Sequence, residues 1–154
     1  MSNIFLLFGT QLAKSATMKI LIISQDNDFI NGFSEVDQNG EISILVYKKN
    51  ISPLDIVTYA FSVNPMLLII DDDLLSPNSA TIIKSFKKMK PESSIIFFTS
   101  SSSVELGRNI SQLGIQYYGI KPFSKNEIYD LINSISISIN KKLQITNKQK
   151  EELS

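Results

Sequence analysis

Short apolar runs and amphipathic stretches alternate along the chain from Met18 onward. Each run spans four or five residues, too few for a typical helix, and is bounded by polar or turn-forming residues, which predicts a buried strand. Between the runs, apolar residues recur at helical spacing and predict amphipathic helices. This alternation indicates an α/β fold with a parallel sheet. The predicted strands are 19–23, 42–46, 66–70, 95–98 and 117–120.

Helix-start signals follow several of these strands, and the stretch from Asp72 to Pro77 is predicted to be a loop. Five strand–helix units in a row fit a flavodoxin-like, doubly wound sheet of five parallel strands in the order 2-1-3-4-5, with five flanking helices. The start signals are Asp28 for the first helix, Ser52-Pro53 for the second, Ser102 with Glu105 for the fourth and Ser124 with Glu127 for the fifth.

The chain divides into three segments. Residues 1–17 form a leader of unknown role, whose apolar run from Ile4 to Phe8 is too short for a membrane anchor and lacks the basic stretch of a signal peptide. Residues 18–138 form one domain, and residues 139–154 are predicted to be a helix extension or a flexible tail. We therefore expect a cytoplasmic protein without a further output domain.

Composition narrows the chemistry that this domain can perform. Fifteen Lys and Arg residues balance fifteen Asp and Glu residues, so no charge excess indicates a nucleic-acid surface. The chain has no Cys and no His, which excludes disulfides, thiolate chemistry and the commonest general base. A metal site would therefore need oxygen ligands, as Mg²⁺ and Ca²⁺ prefer.

The predicted strand order gathers polar residues at one edge of the sheet. Asp71, Thr99 and Lys121 each end a strand, and Ser24, Gln25 and Asp26 follow the first strand. Because ligands bind at the carboxyl ends of the strands in such sheets, a carboxylate, a hydroxyl and an ammonium are expected to meet there. The alternative is that the carboxylates from Asp71 to Asp73 only cap the next turn.

These residues resemble the motifs of a response-regulator receiver domain. The matching pieces are Leu-Ile-Ile-Asp71, Phe-Phe-Thr99-Ser100 and Tyr118-Gly-Ile-Lys121-Pro122-Phe123, with 22 residues from Thr99 to Lys121. The resemblance runs from about Met18 to Ile135.

The resemblance implies a role for each matching residue. Asp71 would accept a phosphoryl group from a phosphohistidine of a histidine kinase or phosphotransfer protein. Thr99 would bond that group, Lys121 would pair with its charge, and Tyr118 would change rotamer with Thr99. The peptide bond from Lys121 to Pro122 would be cis. Any chemistry would be limited to self-catalysed phosphoryl transfer to Asp71, so the chain is not expected to be an enzyme.

The chain departs from the receiver pattern after the first strand. Ser24 and Gln25 stand where receivers usually have two adjacent acidic residues that help to bind magnesium. The ligands left are Asp71, Gln25, Asp26 and Asp73, which predict a weakened magnesium site or none. Losing two carboxylates would also let Lys121 pair permanently with Asp71.

Two functional hypotheses remain open at this point. The first is a stand-alone, phosphorylatable regulator, and the second is a phosphorylation-independent pseudo-receiver that binds other proteins. In both, the fourth helix, fifth strand and fifth helix would contact a downstream target, with homodimerisation through the same surface as an option. Neither hypothesis includes a nucleic-acid or membrane partner. A flavodoxin-like cofactor enzyme is disfavoured, because the first loop is acidic and not glycine-rich.

Overall fold

The computed structural model describes residues 18–36, 40–49 and 52–153, so the predicted leader 1–17 lies outside the described residues. Five parallel strands form one sheet in the order β2-β1-β3-β4-β5. This confirms the predicted fold and strand order. The strands are β1 (Met18–Ile23), β2 (Ile42–Tyr47), β3 (Leu67–Asp71), β4 (Ser94–Thr99) and β5 (Tyr117–Ile120).

The described ranges contain six helices, one more than predicted. The additional helix is a single turn that directly follows β3, in the stretch predicted to be a loop. It forms because the Asp71 side chain accepts a hydrogen bond from the backbone N–H of Asp73 and so caps the turn. The helices are α1 (Asn27–Ser34), α2 (Pro53–Val63), α3 (Asp72–Leu75), α4 (Ser79–Met89), α5 (Val104–Ser111) and α6 (Lys125–Glu152).

Both faces of the sheet are covered by helices, and the inner strands are therefore apolar on both sides. Alternate residues of a strand point to opposite faces, and every residue of β3 and β4 is buried. Phe98 packs with α1 and α6 on one face, and Phe97 packs with α2, α4 and α5 on the other. Among the described residues, the buried polar side chains lie at or next to the strand ends, apart from Ser79 at the start of α4.

The helix caps agree with the sequence in two of four cases. Asp26, and not the predicted Asp28, caps α1 and accepts a hydrogen bond from the backbone N–H of Phe29. Ser52 caps α2 with Pro53 in its first turn, and Ser124 and Glu127 form the predicted capping box of α6. The predicted cap of α5 was wrong by one residue. Ser103, and not Ser102, accepts the hydrogen bond from the backbone N–H of Leu106.

The last helix, α6, extends beyond the part that packs against the core. Its buried side chains end at Ile139, yet the helix continues to Glu152. Residues 139–154 were predicted to be a helix extension or a flexible tail. Within the described residues, the helix continues from Ile139 to Glu152. Among the described helices, none is long and apolar enough to cross a membrane.

We expect Gly119→Ala to destabilise the protein, because β5 has no room for a side chain at this position. An added Cβ would lie 2.5 Å from Cζ of Phe123 and 2.8 Å from two ring atoms of Phe98, which is fully buried. Overpacking of this kind costs about 1–3 kcal/mol, which urea unfolding would measure.

Gly32→Ala is the matched control. Its added Cβ would meet only Cδ1 of Ile128, at 2.8 Å. That atom is the far end of a flexible side chain, and alanine favours the helix by about 1 kcal/mol. We therefore expect little net change, and equal losses in the two variants would contradict the packing argument.

Candidate functional site

Asp71 ends β3 as a carboxylate that is 1% exposed. One oxygen, Oδ2, accepts hydrogen bonds from Oγ of Ser24 at 2.5 Å and from Nζ of Lys121 at 2.8 Å. The other oxygen, Oδ1, accepts from the backbone N–H of Asp73 at 3.1 Å. Both oxygens of this buried carboxylate are therefore occupied by donors from the protein. The cap of α3 and the ion pair with Lys121 coexist, so the two sequence alternatives for Asp71 do not exclude each other.

Lys121 is the centre of the site. Its Nζ lies 2.8 Å from a carboxylate oxygen of Asp71 and 3.2 Å from one each of Asp26 and Asp73. The same ammonium lies 4.7 Å from the ring centroid of Phe29, within range of a cation–π interaction. The peptide bond from Lys121 to Pro122 is cis, which is what the resemblance implies. One ammonium thus joins the ends of β1, β3 and β5.

The pKa values of the site follow from these contacts. Burial alone would lower the pKa of Lys121, but the hydrogen bonds and charges of the carboxylates, Asp71 first, raise it above its ordinary value. The backbone N–H of Phe29, with Lys121, lowers the pKa of Asp26 in spite of partial burial. Burial raises the pKa of Asp73, but hydrogen bonds from Ser100 and Lys121 outweigh it and lower that pKa. At neutral pH the ammonium and these two carboxylates are therefore charged.

Ser24 and Gln25, which replace the usual acidic pair, have different surroundings. Ser24 is fully buried, and its Oγ donates to Asp71 and accepts from the backbone N–H of Asp26 at 3.0 Å. The side-chain amide of Gln25 instead donates to the backbone carbonyl of Lys48 at 2.7 Å, beyond the end of β2. The sequence placed Ser24 at the same edge of the sheet as Asp71 but did not predict the direct bond between them. Its place immediately after β1 was the signal that pointed to that bond.

The predicted magnesium ligands do not form a metal-binding arrangement. Within the described part of the chain, no group of three or more acidic residues is placed to hold a metal ion. Asp26, Asp71 and Asp73 do come together, but each contacts Nζ of Lys121. Gln25 is engaged elsewhere. The donor set therefore fits an ammonium and does not fit a magnesium ion in this arrangement.

Thr99 is fully buried at the end of β4 but does not bond Asp71. Its Oγ1 donates to Oδ2 of Asp72 at 3.1 Å and accepts from the backbone N–H of Ser101 at 3.0 Å. Oγ of Ser79 donates to the other oxygen of Asp72 at 2.7 Å. Sequence reasoning assigned Asp72 no role in the site. Asp72 begins α3 directly after the last residue of β3, where the alternation of the strand has ended, so the local pattern gave no signal for its partners.

Tyr118 lies beside this second carboxylate. Its ring stacks on Phe97 with the centroids 5.1 Å apart and the planes 21° from parallel. Its hydroxyl oxygen is buried and, among the described residues, has no hydrogen-bond partner. Burial raises the pKa of this hydroxyl, and the negative charge of Asp72 adds to the effect. The tyrosine ring therefore points inward, between β4 and α5.

Known proteins resemble this chain in structure and not in sequence. No protein-family model matches the chain, and no curated protein matches it. Among solved structures, the signal receiver domain of a Vibrio parahaemolyticus protein superposes with a TM-score of 0.67 at 18% identity, covering 84% of this chain and 96% of that domain.

Two further solved structures give the same result. A CheY-like response-regulator receiver protein from Methanospirillum hungatei JF-1 has a TM-score of 0.66 at 16% identity, covering 83% of this chain and 98% of its own. CheY4 of Vibrio cholerae has a TM-score of 0.62 at 14% identity, covering 77% of this chain and 98% of its own. The chain therefore has the fold of a response-regulator receiver domain.

We expect Lys121→Met to lower the free energy of unfolding by about 3 kcal/mol at pH 7, because it leaves the buried carboxylate of Asp71 unpaired. The loss should shrink in acid, where the stability that comes from lowered carboxyl pKa values disappears as the carboxyls protonate. It should also shrink in strong alkali, where the stability from the raised pKa of Lys121 disappears as the ammonium deprotonates. The difference from wild type is therefore largest between about pH 5 and pH 10.

Denaturant unfolding across this pH range measures the effect, with Lys125→Met as the control. Lys125 pairs with Glu35 on the surface, where both side chains are more than half exposed. Such a pair contributes about 0–1 kcal/mol. A Lys121→Met loss as small as that of Lys125→Met, or one independent of pH, would contradict a stabilising role for the central ammonium.

Proposed function

We propose that this chain is a signal-transduction module of the receiver type that acts through protein contacts without phosphorylation. The observation that carries this proposal is the position of the Lys121 ammonium, which contacts three carboxylates while Asp71 is 1% exposed. The site is thus already occupied by a cation that belongs to the protein. We propose that this pairing holds the domain in one state, and that regulation comes from the binding partner.

The chemistry of phosphoryl transfer supports this choice. The acceptor oxygen of Asp71 would have to approach the phosphorus atom, but both of its oxygens already accept hydrogen bonds. The incoming group also brings charge that cations and donors must neutralise. Here one ammonium is already shared among three carboxylates, and no second cationic side chain contacts Asp71 among the described residues.

A second function is favoured by one specific contact and remains an alternative. Nζ of Lys121 lies 2.8 Å from Asp71, and Thr99 ends the neighbouring strand. If Ser24 released its hydrogen bond, Asp71 would be able to accept a phosphoryl group from a histidine kinase or phosphotransfer protein. Lys121 would then pair with the phosphoryl oxygens. In this alternative the chain is a stand-alone, phosphorylatable regulator.

The surface formed by α5, β5 and α6 is the part of the domain that we propose contacts a downstream protein or a second copy. It exposes apolar side chains on all three elements, including Ile137 of α6, which is 58% exposed. Val104 at the start of α5 is 75% exposed, and Ile120 at the end of β5 is 48% exposed. Exposed apolar side chains on an edge strand and its neighbouring helix are a common feature of protein-binding surfaces.

Intact mass after incubation with a small phosphoryl donor and magnesium tests the proposal. We expect no gain of a phosphoryl group by the wild-type chain at any magnesium concentration. Asp71→Asn serves as the control for the modified position. A gain that occurs in wild type and is absent from Asp71→Asn would overturn the proposal and establish the phosphorylatable regulator.

Restoring the acidic pair tests whether its replacement by Ser24 and Gln25 prevents phosphorylation of Asp71. We expect the double variant Ser24→Asp/Gln25→Asp to take up one phosphoryl group, because it supplies two carboxylates to a metal ion and removes the Ser24 bond to Asp71. Adding Asp71→Asn to that variant should abolish the uptake. A typical receiver domain, treated in parallel, is the positive control. If it reacts while the double variant remains unmodified, the missing acidic pair is not what prevents phosphoryl uptake.

A further inference from the structure

Asp72 is a buried carboxylate that neither hypothesis uses. It is 6% exposed and begins α3, directly after the Asp71 site. It accepts a hydrogen bond from Thr99 at one oxygen and from Ser79 at the other. Because a buried carboxylate needs donors, these bonds fix Asp72 between β4 and α4. They also fix the hydroxyl of Thr99.

A continuous series of hydrogen bonds leads from Asp72 to the start of α5. Thr99 donates its proton to Asp72 and accepts from the backbone N–H of Ser101. The side chain of Ser101 accepts from the backbone N–H of Ser103 at 3.2 Å. Ser103 is the N-cap of α5 and accepts from the backbone N–H of Leu106. This series connects the hydroxyl of Thr99 to the loop that enters α5.

Few side chains of α5 are buried against the sheet. The helix has eight residues, all of them described, and Ile110 is its only buried side chain. The inward ring of Tyr118 lies against its middle, where a Cβ at Gly107 would be 3.6 Å from the tyrosine Cζ. Elements with few buried contacts are the first to open in a native protein. Leu106 packs partly buried against the same core as Ile110, and the hydrogen bonds at the start of α5 add to these few contacts.

We propose that Asp72 is a positioning residue that holds Thr99 and thereby sets the orientation of α5. A hydroxyl has one proton to donate, so Thr99 cannot donate to Asp72 and to a group on Asp71 at the same time. In this domain Asp72 provides the permanent acceptor. Because α5 is part of the proposed docking surface, the inference rests on the proposed function and names the residue that keeps that surface in place.

Hydrogen exchange of the full chain, followed by mass spectrometry in α5, tests the proposal. Asp72→Leu removes the acceptor of the Thr99 proton. Thr99→Val, with little change in shape, removes the hydroxyl that donates to Asp72 and accepts from the backbone N–H of Ser101. We expect each to accelerate amide exchange in α5 several-fold. The double variant should exchange no faster than the faster single variant, because both changes break the same series of bonds. If Asp72→Leu fails to fold, the proposal is tested by comparing amide exchange in α5 between Thr99→Val and the control variant described below.

Ser79→Ala is the matched control. It removes the other hydrogen bond to the same carboxylate, from a side chain that is equally buried, and leaves the series from Asp72 to Ser103 intact. We expect exchange in α5 to remain at the wild-type rate. The proposal would be overturned if Thr99→Val left exchange in α5 unchanged, or if Ser79→Ala accelerated it as much as Thr99→Val does. It would also be overturned if the effects of the two single variants multiplied in the double variant.

This experiment uses no phosphoryl donor, so its outcome is independent of the mass measurement. Phosphoryl uptake by wild type would refute the proposed function and leave the Asp72 result standing. Wild-type exchange rates in Thr99→Val would refute the positioning role and leave the proposed function intact.

Discussion

The ion pair between Lys121 and Asp71 is the interaction on which the rest of the site depends. A carboxylate at the end of a strand that is buried on both faces loses its hydration, and that loss is tolerated only when donors replace the water. Lys121 and Ser24 are those donors. Because Lys121 enters from β5 and Ser24 from β1, satisfying Asp71 fixes the ends of three strands relative to one another.

The three consecutive carboxylates from Asp71 to Asp73 have three different sets of partners, of which two share Lys121. Asp71 bonds Ser24 and Lys121, Asp72 bonds Thr99 and Ser79, and Asp73 bonds Ser100 and Lys121. Asp71 ends β3, whereas Asp72 and Asp73 begin α3. The short run thus connects α3 to the end of β4, to α4 and to β5.

Local pattern predicted the sheet and the convergence of Asp71 with Lys121, because strand order alone brings the carboxyl ends together. It did not predict the partner of Thr99 or the direction of Gln25. Both depend on loop backbone beyond the strand end, where the alternation of the strand no longer applies. It also missed α3, because the cap that forms this turn is the same Asp71 that was assigned to the site. A residue with two roles is difficult to assign from sequence, since each role alone explains its presence.

A tethered ammonium and a dissolved metal ion neutralise carboxylates in different ways. A metal ion binds according to its concentration, and its affinity falls when carboxylates are lost from the site. Lys121 is part of the chain, so the fold itself holds its ammonium beside Asp26, Asp71 and Asp73. One ammonium thus offsets part of the negative charge that the three carboxylates bring to this edge of the sheet. The bond from Thr99 to Asp72 adds a second polar contact, which joins the end of β4 to the start of α3.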